Sequence, residues 1–453
     1  MIAKLQGYVG GDGLAARARR GSVLTVVEFG GANVLRLVSS LILTRILFPD
    51  AFGLMALIAV VTGGVAMFSD IGIRASIIRH ERGDDPEYFN TAWTLQVIRG
   101  VFLSAMIALL APFAADFYDE PRLAQLLPVA GLSALIDGFT PTRVMTAARH
   151  LTLGRLTVLN LANQVVTLAL TALLAWWLQS VWGLVFGILL GGIQRNISAR
   201  LFMPGTPNRF TWNREAARDL IGFGKFVFLS TIATFFVRNG DRAILGKLIA
   251  LDLLGLYNIA LTLASVPMML IGALTSKIVF PLYSRRKPHE NAANRRKIFR
   301  ARYALTGVAV FGSLLLVLLG DPLVRFLYDA RYATAGGITV LIVIGFLPFV
   351  IVSTYNAILL ANNRSDLHAL VVVCDAVLKI GVLFLAIRSF GVVGAALAPA
   401  VSTLLHYPIL IAMTRRYQVW DPKHDLLFAV LSVVIAGLGW WLYGDVLSTL
   451  VPN

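Results

Sequence analysis

Apolar runs of about 18 or more residues recur along almost the whole chain, separated by short charged breaks. Each is long enough to cross a hydrocarbon layer of roughly 30 Å as a helix. The runs predict spans near 23–47, 52–79, 89–113, 122–146, 153–177, 179–203, 218–248, 253–281, 301–320, 335–361, 366–389 and 390–414, with a thirteenth near 425–443. Strands of a membrane barrel alternate over about 10 residues, and that pattern is not found. The expected fold is an all-α polytopic membrane protein.

Composition agrees. Of 453 residues, 57% are hydrophobic and 14% charged, with a mean hydropathy of +0.76. A soluble protein of this length needs more polar surface than that. A net charge of +16 suggests nucleic acid in a soluble protein; in a membrane protein it raises the question of which loops carry it, and no nucleic-acid partner is expected. Residues 1–22 are polar and basic, with Lys4, Arg17, Arg19 and Arg20. The run that follows is too long for a cleaved signal peptide. The single cysteine, Cys374, lies in an apolar segment, which excludes a disulfide framework.

The N-terminus and alternate loops from 79–88 onward hold about 28 of the 40 Lys and Arg residues, and the opposite loops about 8. The positive-inside rule then makes the N-terminus cytoplasmic. The densest basic loop, "RRKPHENAANRRKIFRAR" (285–302), is read as a cytoplasmic topology anchor, with anionic lipid headgroups as its second available role. "ADFYDEPRL" and "GDPLVRFLYDARY" fall outside, as does the C-terminus after an odd thirteenth span.

Sliding the chain by 202 positions aligns Arg36 with Arg238, Arg45 with Lys247, Asp50 with Asp252 and Gly53 with Gly255, without a gap. Ile42, Leu43 and Leu54 also match Ile244, Leu245 and Leu256. Each copy is the outer half of one span, a turn with an acid and a glycine, and the start of the next span. Spans 1 and 7 run the same way, so the repeat is parallel, with its pseudo-twofold axis along the membrane normal. The expectation is two pseudo-symmetric six-helix bundles around a central cavity, plus one extra C-terminal helix. The boundaries are 1–22 for an N-terminal segment, 23–203 for the first lobe, 204–217 for a linker, 218–414 for the second lobe and 415–453 for the last span and tail.

"DRAILGKLIALDLLGLYNIALTLASVPMMLIGALTSKIVFPLYSR", with Asp241, the run ending at Tyr257 and "FPLYS" at 280–284, resembles spans 7 and 8 of a known family. "FPDAFGLMAL", "FYDEP" at 117–121, the "NTAW" entry to span 3 and "GVVGAALA" at 391–398 are similar too. The family is the Wzx-type lipid-linked oligosaccharide flippases, polysaccharide transporters of the multidrug/oligosaccharidyl-lipid/polysaccharide exporter superfamily. The resemblance implies a bilobed bundle of 12 to 14 helices in a bacterial inner membrane. Such a bundle moves an undecaprenyl-pyrophosphate-linked sugar repeat to the outer leaflet by alternating access, alongside a polysaccharide polymerase and export machinery. It implies no cofactor. The sequence holds no G-x-x-x-x-G-K-[ST] phosphate loop, no zinc-type histidine spacing and no nucleophile–base constellation, so enzyme chemistry is not expected.

Ionisable groups at a helix centre cost about 2.5–3.5 kcal/mol and face protein or water. The candidates for holding an anionic cargo are Arg36, Arg74, Lys225, Arg238, Arg242 and Lys379, because guanidinium offers paired hydrogen bonds to phosphate without losing its proton. Asp70, Asp137, Asp241 and Asp375 either couple transport to a proton or sodium gradient or pair with these cations. Asp70/Arg74 and Asp375/Lys379 are i,i+4 pairs on one helix face, whereas Arg36 has no acid at that spacing. Arg99 reads as an interfacial anchor and His406 as a packed histidine or a proton relay. Asn33, Ser39, Ser40, Asn160, Asn163, Gln164 and Asn356 are polar enough to meet sugars. The alternative transporter reading is a drug/cation antiporter of the related branch, for which isolated cavity carboxylates would argue. A membrane glycosyltransferase needs a large external loop or a catalytic acid set, and neither is visible.

Overall fold

A computed structural model describes residues 14–450 apart from 69–72, 151–152, 286–287, 356, 363 and 449. No strand occurs among the described residues, and a helix is found within each of the thirteen expected spans, the one over 122–146 being broken between Gly138 and Arg143. In chain order they are α1 Leu14–Ile46, α2 Pro49–Phe68, α3 Ile73–Arg79, α4 Pro86–Tyr118, α5 Arg122–Gly138, α6 Arg143–Arg149, α7 Leu153–Leu178, α8 Val181–Phe202 and α9 Arg214–Leu248. There follow α10 Leu251–Ala264, α11 Val266–Leu274, α12 Phe280–Arg285, α13 Ala292–Leu327, α14 Thr334–Val352, α15 Ala357–Ala361, α16 Ser365–Thr414 and α17 Pro422–Ser448. Nine described segments are both long and apolar enough to cross a membrane. Gly391 divides the segment that contains α16, its φ of 55° breaking the helix into two arms where spans 11 and 12 were expected to meet.

The chain divides into two compact units. The first holds the described residues up to Leu47 together with Ile58–Thr231; the second holds Phe48–Leu57 and the described residues from Ile232. In the first unit α4 packs on α5, α7 on α8, α1 on α7 and α5 on α8. Gly187 and Gly191 of α8 abut Thr171 and Thr167 of α7 so closely that a Cβ would meet each threonine at 2.4 Å. This small-residue stripe therefore serves helix packing inside the unit.

Residues 204–217, expected as a linker between lobes, are fastened to α4. The backbone N–H groups of Arg209, Thr211 and Asn213 donate to Asn90 Oδ1, Thr94 Oγ1 and Thr91 Oγ1 at 3.0, 3.1 and 3.1 Å. Trp93 lies against Phe210, ring centroids 4.8 Å apart. The polar "NTAWT" entry to span 3 thus satisfies backbone donors that would otherwise be stranded. Nearby, Arg149 caps the C-terminal end of α3, donating to the carbonyls of Ile77, Ile78 and His80 at 3.1, 3.1 and 2.7 Å.

In the second unit α14 is the centre, packed by α10, α13, α16 and α17. The sequence expectation of a loop over 285–302 is corrected: α13 begins at Ala292, capped by Asn291, so Arg295–Arg302 lie on a helix. The N-terminal part of that helix carries Arg302, which is 1% exposed. Its guanidinium stacks on Tyr355, 3.8 Å from the ring centre, and donates to Val419 O at 2.7 Å and Thr354 Oγ1 at 3.0 Å. Asp425 of α17 balances it: its Oδ1 lies 3.6 Å from Arg302 Nη2 and 2.8 Å from His424 Nδ1, while its Oδ2 accepts from Tyr355 and Tyr407, both at 2.7 Å. This buried knot joins α13, the end of α14, the second arm of α16 and α17.

Candidate functional site

Charged side chains lie on the long helices of each unit. In the second unit α9 and the first arm of α16 bring them together. Lys379 Nζ donates to the carbonyl oxygen of Val237 at 2.6 Å. One turn along α9, Asp241 Oδ2 accepts from Tyr257 Oη of α10 at 3.0 Å. Its Oδ1 accepts from the Arg242 backbone N–H at 2.9 Å. The sequence left open whether Asp241 pairs an arginine side chain; among the described side chains a tyrosine and a backbone amide hold it, and the Arg238 side chain lies outside them. Arg242 carries a buried Nε with no hydrogen-bond partner. A guanidinium in that state is a donor waiting for an acceptor.

The same-face pairing of Asp375 with Lys379 does not form. Lys379 is drawn to the α9 carbonyl, and no ion pair joins the two among the described residues. Asp375 acts electrostatically on His406, which is 5% exposed and has an unpartnered Nδ1. Arg238 and Lys225 belong to α9 and Arg74 to α3, but their side chains lie outside the described residues, as does Asp70 entirely.

In the first unit, Arg36 is exposed on α1 and makes no hydrogen bond or ion pair among the described residues. Its neighbours on α1 are engaged. Glu28 accepts from Thr157 Oγ1 at 3.0 Å and Asn160 Nδ2 at 2.7 Å, and Gln164 Nε2 donates to Ala32 O at 3.0 Å. Asn160 and Gln164, read from the sequence as sugar-facing, thus build the α1–α7 seam. Asn163 also packs internally, accepting from Gln194 at 2.9 Å and Ser198 at 2.8 Å. Asn356 lies outside the described residues. Asp137 is paired with Arg195 of α8. Arg99 donates to the carbonyl of Ala66 at 2.7 Å.

Among the described residues, Arg36 of the first unit and Arg242 of the second are cations without side-chain acceptors, whereas Glu28, Asp137 and Asp241 are held by polar or charged neighbours. Arg195 and the Arg302–Asp425 knot went unseen in the sequence. Arg195 lies inside span 6 with no same-helix acid at i±3 or i±4, and Arg302 sits in the basic run read as a topology anchor.

A family model described as a polysaccharide biosynthesis protein matches residues 42–336. The teichuronic acid biosynthesis protein TuaB of Bacillus subtilis is 22% identical over 300 residues, covering 66% of this chain and 62% of TuaB. The chain thus spans less than two thirds of that relative. The lipopolysaccharide biosynthesis protein WzxC of Escherichia coli is 21% identical over 423 residues, covering 89% of this chain and 84% of WzxC. Among solved structures, the lipid II flippase MurJ in an inward closed conformation superposes with a TM-score of 0.66 at 11% identity, covering 93% of this chain and 99% of MurJ. At that identity the likeness speaks for the fold.

Proposed function

We propose, for a chain that belongs to the polysaccharide biosynthesis protein family, that it translocates a polyprenyl-pyrophosphate-linked oligosaccharide repeat unit across a bacterial plasma membrane for polysaccharide export. The membrane-crossing helices and the relatives named for teichuronic acid and lipopolysaccharide synthesis support this reading. The observation that carries it is the pair of arginines on long helices, Arg36 of α1 and Arg242 of α9, that have no side-chain acceptor among the described residues. Burying an unpaired guanidinium in a membrane is costly, and an anionic headgroup supplies the missing oxygens.

The N-terminus is cytoplasmic, and transport runs from the inner to the outer leaflet by alternating access. Membrane lipids surround the protein, and a polymerase and export machinery receive its product. A proton or sodium gradient supplies the drive, with Asp375 and His406 as the coupling pair. The competing reading, a drug/cation antiporter, calls for bare carboxylates; Asp137 and Asp241 are engaged, which leaves Asp375 beside His406 as the described candidate for that role.

A deletion strain tests the reading. It is expected to lose surface polysaccharide and accumulate the lipid-linked repeat unit. Wild-type protein restores the polymer; Arg36→Ala and Arg242→Ala do not, although both reach the membrane. Normal polymer yield in both variants, or no accumulated lipid-linked sugar in the deletion, overturns the assignment.

A further inference from the structure

One face of α13 runs through Val308, Phe311, Leu315 and Leu319, all exposed; Phe311 is 60% exposed and Val308 51%. The spacing of three and four keeps them on a single helical stripe. Followed backward by fours, the stripe continues through Ala304 to Arg300 and Arg296, which are also exposed. At 1.5 Å per residue, Arg300 lies about 12 Å and Arg296 about 18 Å before Val308. The stripe therefore turns from apolar to cationic over the thickness of a headgroup layer.

A cavity of about 420 Å³ opens at that level, lined by Arg295, Arg296, Phe299, Arg300, Tyr303 and Asp421. Arg296 and Arg300 make no hydrogen bond or ion pair among the described residues, whereas Arg295 donates to Gln418 Oε1 at 3.2 Å. The one carboxylate present is engaged: Asp421 Oδ1 accepts from the His424 backbone N–H at 3.2 Å, at the start of α17. Tyr303 is fixed edge-on against His424, ring centroids 4.9 Å apart. Two free guanidinium groups beside an aromatic floor can grip a phosphate from two sides.

We infer that this notch holds the phosphate of an anionic phospholipid whose acyl chains lie along Val308 and Phe311. The site is independent of the cargo-bearing arginines and of the transport reading. It explains why the basic run of α13 is patterned with aromatics at i,i+4 rather than uniformly charged.

The test uses the full chain released from nanodiscs of mixed phosphatidylglycerol and phosphatidylcholine, with retained lipids counted by native mass spectrometry. Phosphatidylglycerol is expected to be retained in preference. At about fivefold per arginine, Arg296→Gln with Arg300→Gln lowers that retention about 25-fold. Lys297→Gln removes a charge from the same turn but does not line the notch, and is expected to change retention less than twofold. Millimolar inorganic phosphate leaves the lipid in place. If the double variant fails to insert, Arg300→Gln alone is read, with the fivefold loss expected. Equal retention of the two lipids, a Lys297→Gln loss as large as that of Arg300→Gln, or displacement by inorganic phosphate overturns the proposal.

Discussion

Gly53 and Gly255 make the same close approach in mirror roles. A Cβ on Gly53 would stand 2.1 Å from the carbonyl oxygen of Leu251, and one on Gly255 1.9 Å from that of Pro49. Pro49 and Leu251 are themselves related by the 202-residue shift, so the contact is reciprocal, as across a twofold axis. Both corners belong to the second unit. Here the repeat detected in the sequence becomes a physical contact between its own copies. Gly53→Ala or Gly255→Ala must push backbone against backbone, which costs about 1–3 kcal/mol or more. Each variant is expected to lower the melting temperature of the purified protein, and an unchanged melt in both would contradict the contact.

Arg302 has one carboxylate, Asp425, in its buried surroundings. Asp425→Asn leaves a guanidinium in a dry site with neutral partners, which costs about 3–5 kcal/mol. The expected result is a marked loss of folded protein, read by thermal melting in detergent. Arg302→Lys keeps the charge but loses the stacking on Tyr355 and the donation to both Thr354 and Val419. It should fall between wild type and Asp425→Asn.

The coupling proposal makes a separate claim on Asp375 and His406. In vesicles, transport by the wild-type protein is expected to respond to an imposed pH or sodium gradient, and Asp375→Asn to flatten that response. Indifference of the wild type to pH gradient, sodium and membrane potential alike would reject gradient coupling.

The segment before α4 offers a test against pH. Asp85 accepts from the Glu87 backbone N–H at 3.0 Å and from Arg82 Nη2, also at 3.0 Å. The backbone donor first, and then the Arg82 side chain, hold its carboxyl below the usual range. A depressed folded-state value stabilises above the unfolded value, about 3.9. That contribution is lost as the pH falls through the folded value. Protection from hydrogen exchange at the start of α4, taken relative to the intrinsic rate at each pH, is expected to hold from neutral pH to about pH 4 and to fall below it. Asp85→Asn is expected to remove that acid dependence.

Hydropathy exposed the spans because lipid imposes one rule on all of them. Even the break at Gly391 is legible, since "SFGVVG" interrupts an otherwise unbroken apolar run. Several resemblance motifs also have local causes. In "FYDEP", Asp119 takes a left-handed conformation with φ 54° to end α4, and Glu120 accepts from Arg122 Nε at 2.7 Å. Side-chain partners were far less legible. Lys379 chooses a carbonyl 142 positions away over the acid one turn back, and Asp137 finds Arg195 on another helix. Such choices follow from which helices become neighbours, and helical periodicity within a single span carries no trace of that.

Central placement of α14 bears on how the second unit is made. Gly337 comes within van der Waals reach of Val446 and Leu447, and Gly439 nests among Ile344, Val317 and Val340. Half of the surrounding wall, α16 and α17, is synthesised after the helix it encloses. During biogenesis the glycine flank of α14 is therefore covered only once α17 has been made, which makes α17 a late structural partner of that helix.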